Sequence, residues 1–234
     1  MTSLIQQENF AIGDETSLKS LAQKNEAKLM VISDSHGNPH ILYSIINEFG
    51  SGCDALCFCG DGITDLVENI EMGFFDKDFG QKIPPLIFFV KGNGDNSTST
   101  IFTEERIPIS VPESIEFTVA GKKIFMTHGH RYGVYYGLKD LKSEAASKDA
   151  NIVFYGHTHV PNVNKSFVQK KFLGILNPGS CAEARGGMPN TFAIATIRSE
   201  VEKSESQYYE VKLDGNGEIC FEKEPTPRGD IRMF

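Results

Sequence analysis

No apolar run in this 234-residue chain approaches the roughly 20 residues of a membrane span, so a transmembrane helix is not expected. The opening MTSLIQQENF lacks a basic region followed by an apolar one, which predicts no signal peptide. Positive charge is scarce: 23 Lys and Arg face 31 Asp and Glu, for a net charge of −8. That balance argues against stable binding to nucleic acid or to an anionic membrane. It leaves phosphate esters open as substrates, because bound divalent cations reverse the local sign. Cysteine is sparse and irregular. Cys53, Cys57, Cys59, Cys181 and Cys220 make an odd number without framework spacing. Such a set predicts reduced, mostly buried thiols and a cytoplasmic protein. Cys57-Phe58-Cys59 has no second pair with which to form a zinc knuckle. Internal repeats and low-complexity tracts are absent too.

What is present is ordinary in bulk and unusual in placement. Hydrophobic residues at 40% and charged residues at 23% suit one globular domain with a core large enough to need no staples. Residues 1–26 are polar and mixed in charge, and read as an N-terminal extension with a short helix over 17–24. One domain is expected over 27–224, with a loose tail over 225–234. Short apolar runs over 28–33, 54–59, 86–90 and 152–155 predict buried strands. Helices are expected over 39–49, where Pro39 suits the first turn, and over 64–72 and 137–150. Residues 73–85 hold Gly, Asp, Lys and a Pro-Pro pair and read as a loop. Hairpins are expected over 114–127 and, around Asp214-Gly215-Asn216-Gly217, over 208–222. Residues 173–176 and 191–197 read as further strands. Early strand–helix alternation predicts a parallel sheet, and the later hairpins a second, more mixed one. The sum is an α/β layered sandwich whose strand-end loops meet at one edge, where ligands bind in open α/β sheets.

Five of the six histidines fall in three clusters, each closing an apolar run: Asp34-Ser35-His36, His128-Gly129-His130 and Gly156-His157-Thr158-His159. Between the first two lie Gly60-Asp61-Gly62 and Gly92-Asn93-Gly94-Asp95. Taken singly, these are turns and helix caps as readily as ligands. Taken in order, each just beyond a predicted strand, they offer what a pair of divalent ions requires: a bridging carboxylate, imidazoles and oxygen donors. The candidate metal ligands are Asp34, His36, Asp61, Asn93, His128, His157 and His159. The i, i+2 spacing within Asp34/His36 and His157/His159 puts both side chains of each pair on one side of an extended backbone.

These motifs resemble the signature of the calcineurin-like metallophosphoesterases. Within that superfamily, residues 28–36, Thr127-His128-Gly129-His130, Gly156-His157-Thr158-His159 and Asn177-Pro178-Gly179-Ser180 are most similar to the small YfcE-type phosphodiesterases. The resemblance covers roughly 28–197 and implies a β-sandwich of two mixed sheets flanked by helices. It implies that Asp34, His36 and His159 hold one metal, that Asn93, His128 and His157 hold a second, and that Asp61 bridges them. A hydroxide shared by the ions would then attack phosphorus. Mn²⁺ is the first choice, with Ni²⁺, Fe²⁺, Zn²⁺ and Co²⁺ compatible with the same donors. Asp61 and Asn93 thus count as catalytic as well as ligating. Many monoesterases of the superfamily carry a histidine directly after the asparagine, where this chain has Gly94. That departure favours diesters or another proton donor, for which His130 is the candidate. Arg131 and Arg185 are candidate phosphate clamps, and Asp95 either orients a ligand or caps a turn. The expected activity is hydrolysis of a small phosphodiester, with a phosphomonoesterase and a non-catalytic scaffold, as in the small retromer subunit, as alternatives. The family also suggests a homodimer.

Overall fold

The computed structural model describes residues 5–168, 171–225 and 227. Two mixed sheets form a sandwich with helices outside it. The first sheet runs in the order β13-β12-β11-β1-β2-β3, built from β1 (Glu26–Ile32), β2 (Ala55–Phe58), β3 (Ile87–Phe89), β11 (Thr191–Arg198), β12 (Glu205–Leu213) and β13 (Ile219–Glu224). Strands β1, β2 and β3 are parallel, and β11 returns antiparallel beside β1. The second sheet runs β6-β7-β8-β10-β9, from β6 (Ser114–Val119), β7 (Lys122–Thr127), β8 (Ile152–Phe154), β9 (Asn162–Val168) and β10 (Lys171–Asn177). A small hairpin, β4 (Thr98–Phe102) with β5 (Arg106–Ser110), stands apart.

Strand periodicity builds the layers. Leu29 and Val31 of β1 point into the sandwich, where Phe88 stacks on Phe117 of the opposite sheet with ring centroids 3.8 Å apart. Their neighbours Met30 and Ile32 face the other way, onto α2 (Pro39–Phe49) and α3 (Ile63–Phe75). Helix α2 meets them with Leu42, Ile45 and Ile46, and α3 with Leu66 and Ile70. On the far side, α5 (Lys139–Ser147) covers Phe125 and Val153 with Leu141 and Ala145. The result is helix, sheet, sheet, helix. Because β1, β2 and β3 are parallel, as are β7 and β8, their carboxyl ends converge on one edge.

Three expectations need correction. The loop read over 73–85 contains the last turn of α3 and a short helix, α4 (Lys77–Gly80). Asp76 starts α4 by accepting from the N–H groups of Asp78 and Phe79, and Phe79 is buried. The C-terminal hairpin joins the first sheet rather than the second, because β11 offers its free edge beside β1. Strands β4, β5 and β9 escaped the sequence reading. They lie at the surface, where polar residues blur the alternation. The N-terminal helix α1 (Glu15–Gln23) is capped by Asp14, and the segment before it is tied to β3 by reciprocal hydrogen bonds between Ile12 and Ile87 of 2.9 Å each. Apart from residues 225 and 227, the expected tail lies outside the described residues. No described helix is long and apolar enough to cross a membrane.

Candidate metal centre

The loops after β1, β2, β3, β7 and β8 carry the candidate ligands, and the backbone there is bent in an uncommon way. Asp34, His36, Asp61, His157 and His159 all have positive φ, between 45° and 68°. Non-glycine residues seldom adopt this region, and clusters of them mark functional sites. The bends are held by specific bonds. Asp95 accepts from four backbone N–H groups: Asp61 at 2.7 Å, Gly92 at 2.8 Å, and Gly62 and Ile63 at 3.0 Å each. It therefore both caps α3 and fixes Asp61, so the two roles read for it are one. Asp65, on the first turn of α3, does the same for the first loop through the N–H groups of Gly37 and Asn38 at 3.0 and 3.1 Å. Ser180 donates from its hydroxyl to the Asp34 carbonyl at 2.7 Å.

Two donor sets result. Asp34, His36 and His159 form one, and Asp61, His128 and His157 the other, with the ligand atoms within each set lying within 4.8 Å of one another. His159 Nε2 is 3.2 Å from Asp34 Oδ1, and His128 Nε2 is 3.2 Å from Asp61 Oδ2. Asp61 Oδ2 is also 3.9 Å from His36 Nε2, so this carboxylate stands between the sets. Its other oxygen accepts from the Gly94 N–H at 2.7 Å. Asn93 lies on the same loop, between Gly92 and Gly94, with an exposed side chain.

The donors fit divalent cations on a structural criterion. Among the described residues, Asp34 Oδ1 and His128 Nε2 are buried without a hydrogen-bond partner, a costly arrangement unless each is taken as a ligand by a cation. His128 Nδ1 donates to the Cys59 carbonyl at 2.7 Å, and His159 Nδ1 to that of Glu183. Each bond leaves Nε2 with its lone pair aimed inward, the outer-shell arrangement seen for metal-bound histidine. His36 Nε2 lies 3.1 Å from that of His159. Burial would raise the Asp34 pKa, but the neighbouring His159 and His36 imidazoles outweigh it and hold the carboxyl well below the usual range. Asp61 is likewise held low against burial, by His128. His157 is pushed down to about 4, first by burial and then by the neighbouring His128. At neutral pH the centre therefore presents anionic oxygens and, at His157, a neutral imidazole.

Around the centre, His130 sits with its ring 5.4 Å from that of His128 and its Nε2 3.7 Å from Glu113 Oε2. Burial, then the His128 charge, lowers its pKa. Arg131 is engaged by Glu113 at 2.8 Å. Arg185 donates to the Tyr135 hydroxyl, which itself donates to the His157 carbonyl at 2.8 Å. Tyr135 and Asp65 were missed in the sequence. Tyr135 follows no motif, and a first-turn aspartate on α3 reads as a generic helix start.

Residues 28–200 match the model of the calcineurin-like phosphoesterase superfamily domain. A probable metallophosphoesterase, YsnB, from Bacillus subtilis (strain 168) is 25% identical over 174 residues, 74% of this chain and 85% of that one. Among solved structures, Vacuolar Protein Sorting 29 from Cryptosporidium parvum superposes with a TM-score of 0.59 at 17% identity, over 86% of this chain and 99% of that one. Yfce, a phosphoesterase from E. coli, superposes with a TM-score of 0.50 at 19% identity, over 86% of this chain and 100% of that one. With the motifs in their family order and the match spanning most of the sandwich, the chain belongs to the calcineurin-like phosphoesterase superfamily, and within it resembles Yfce.

Proposed function

We propose that the chain is a dinuclear metal-dependent phosphodiesterase acting on a small phosphodiester in the cytoplasm. The pair of donor sets flanking Asp61, with Asp34 Oδ1 and His128 Nε2 buried and unpartnered, carries this reading. Asp34, His36 and His159 would hold one ion, Asn93, His128 and His157 the other, and Asp61 both. Mn²⁺ is the first choice among ions suited to these donors. Two such ions, when bound, supply a water of lowered pKa and neutralise charge growing on the phosphoryl oxygens. The protein's own groups fix the geometry. Cys59 and Glu183 carbonyls orient His128 and His159, and Asp95 and Asp65 hold the loops. Arg185, hydrogen-bonded to Tyr135 whose hydroxyl reaches the His157 carbonyl, would meet a phosphate oxygen on that side. His130 is assigned proton delivery to the leaving group.

Diesters are favoured over monoesters by position 94. A Cβ there would stand 3.2 Å from Asp61 Oδ1, so the loop is closed tightly around a glycine and carries no imidazole. Turnover of a mono- and a bis-ester of one chromogenic phenol tests this reading. The bis-ester is expected to be preferred, and a clear preference for the monoester overturns it. His157→Ala with Mn²⁺ present is expected to abolish turnover. The loss should exceed the roughly 10- to 100-fold that outer-shell changes cost. A scaffold is the second reading. It is favoured by the exposed Phe74 and Phe75 at the end of α3, by Phe102 of β4, and by the likeness to Vacuolar Protein Sorting 29. Equal, background-level rates in wild type and His157→Ala would select it.

A further inference from the structure

Beside His36 the centre opens into a cleft of about 400 Å³, walled by Gly37 and Pro39, the start of α3, and Gly94-Asp95. Its wall carries Asp61, Asp65, Glu68 and Asp95 and, among the described residues, neither lysine nor arginine. Three of these carboxylates are committed. Asp61 faces His128, and Asp65 and Asp95 are occupied by backbone N–H groups. Glu68 is different. It is exposed on α3, one turn beyond Thr64, and among the described residues it has neither a hydrogen bond nor an ion pair.

That wall discriminates between alcohols. A second phosphate group would face Glu68 and, among the described residues, find neither lysine nor arginine in the cleft to receive it. Among the described residues, a nucleobase would find no aromatic face to stack on there apart from the His36 imidazole. A small alcohol bearing a cation meets a free carboxylate. On the other side of the centre, Arg185 has no carboxylate partner among the described residues and is held by Tyr135 against the His157 loop. The site is therefore polarised, with a cation for the phosphate on the His157 side and an anion in the cleft beside His36.

We propose that the cleft selects the alcohol of the diester, and that this alcohol carries an amine or quaternary ammonium group received by Glu68. The proposal rests on the phosphodiesterase reading and specifies its substrate class. The test compares para-nitrophenyl phosphocholine with its uncharged carbon isostere, in which a tert-butyl group replaces trimethylammonium. Both have the same leaving group and nearly the same volume. In the Mn²⁺-loaded protein the choline ester is expected to show a kcat/KM up to about fivefold higher, the scale of one ion pair in a solvent-exposed cleft. Glu68→Gln is expected to bring the ratio of the two close to one, and Glu68→Lys to invert it. Because the ratio is taken within one protein, partial unfolding of a variant cancels. Equal kcat/KM for the two esters in wild type, or a ratio unmoved by Glu68→Gln, overturns the proposal while leaving the phosphodiesterase intact. Hydrolysis of neither ester, where the bis-ester of the chromogenic phenol is turned over above the His157→Ala background, overturns this proposal alone; hydrolysis of none of the three overturns the phosphodiesterase reading, and this one with it.

Discussion

Each left-handed ligand residue costs the fold of order 1–3 kcal/mol, so something must hold it there. At Asp61 that something is Asp95, whose carboxylate gathers four N–H groups from two loops. Asp95→Ala leaves all four without their acceptor. It is expected to lower stability by at least about 2 kcal/mol in a denaturant titration. Because Asp95 acts on the metal through Asp61, the same variant should need about tenfold more Mn²⁺ for half-maximal turnover, with excess Mn²⁺ restoring much of the rate. A variant that stays slow at saturating Mn²⁺ would show that Asp95 does more than position. His130 is read out by leaving group. A proton donor matters most where the departing alkoxide is a poor leaving group, so His130→Ala should cost about a hundredfold in kcat on an alkyl leaving group and far less on nitrophenolate. Equal losses on both would remove it from proton delivery. Most of these residues were legible, because Asp, His and Asn beside glycines at strand ends form a pattern in the chain. Asp65 was not, since its partners Gly37 and Asn38 lie far from it in sequence.

Among elements, legibility followed burial. Strands β2, β3 and β8 and the second half of β1 are apolar on both faces and were read from their runs, and α2 from Pro39 and its spaced isoleucines. Strands β4 and β5 bury only Ile101 and Ile109 and left no such trace. Helix α4 was hidden for the opposite reason. Its glycine looked like a turn signal but serves contact. Gly80 packs against the backbone of Gly73 in α3, and a Cβ at position 80 would overlap the Gly73 carbonyl oxygen. Gly80→Ala gains helix propensity but is expected to lose about 1–3 kcal/mol by forcing α3 and α4 apart. The midpoint of guanidinium unfolding checks this, and a stabilised variant would mean that α4 shifts freely. Gly92 makes a comparable close approach at the site, where a Cβ would overlap Asp61 Oδ1. The same residue type thus marks a helix contact in one loop and the metal centre in another, a distinction composition does not carry.

For the whole molecule, the hydrophobic pattern tells each strand which face to bury but not which neighbour to take. That is why two sheets were foreseen while the C-terminal hairpin was assigned to the wrong one. The same gap applies to the first 26 residues, read as an extension and lying before the family match, which begins at residue 28. The described part of this segment touches both sheets. Ile12 pairs with Ile87 on the open edge of β3, while the carbonyls of Leu21 and Ala22 accept from Ala120 and Gly121 in the β6–β7 turn at 3.0 and 2.8 Å. Ala11, Ile12 and Leu21 are buried against the layers that they join. Burying Ile12 and Leu21 is worth about 1.5–3 kcal/mol each, so their removal should cost about 3–6 kcal/mol. A domain of this kind holds only about 5–15 kcal/mol in all. Deleting residues 1–24 is therefore expected to lower the guanidinium midpoint steeply. It should also cause self-association in sedimentation velocity, because the freed edge of β3 presents unpaired backbone groups to other chains. The metal centre lies at the strand ends, not along that edge, so Mn²⁺ should still raise the melting temperature of the truncated protein by mass action. A truncated chain as stable and as monodisperse as the full one would show that the segment only lies on the domain. Loss of the Mn²⁺ shift together with stability would show that it helps hold the site.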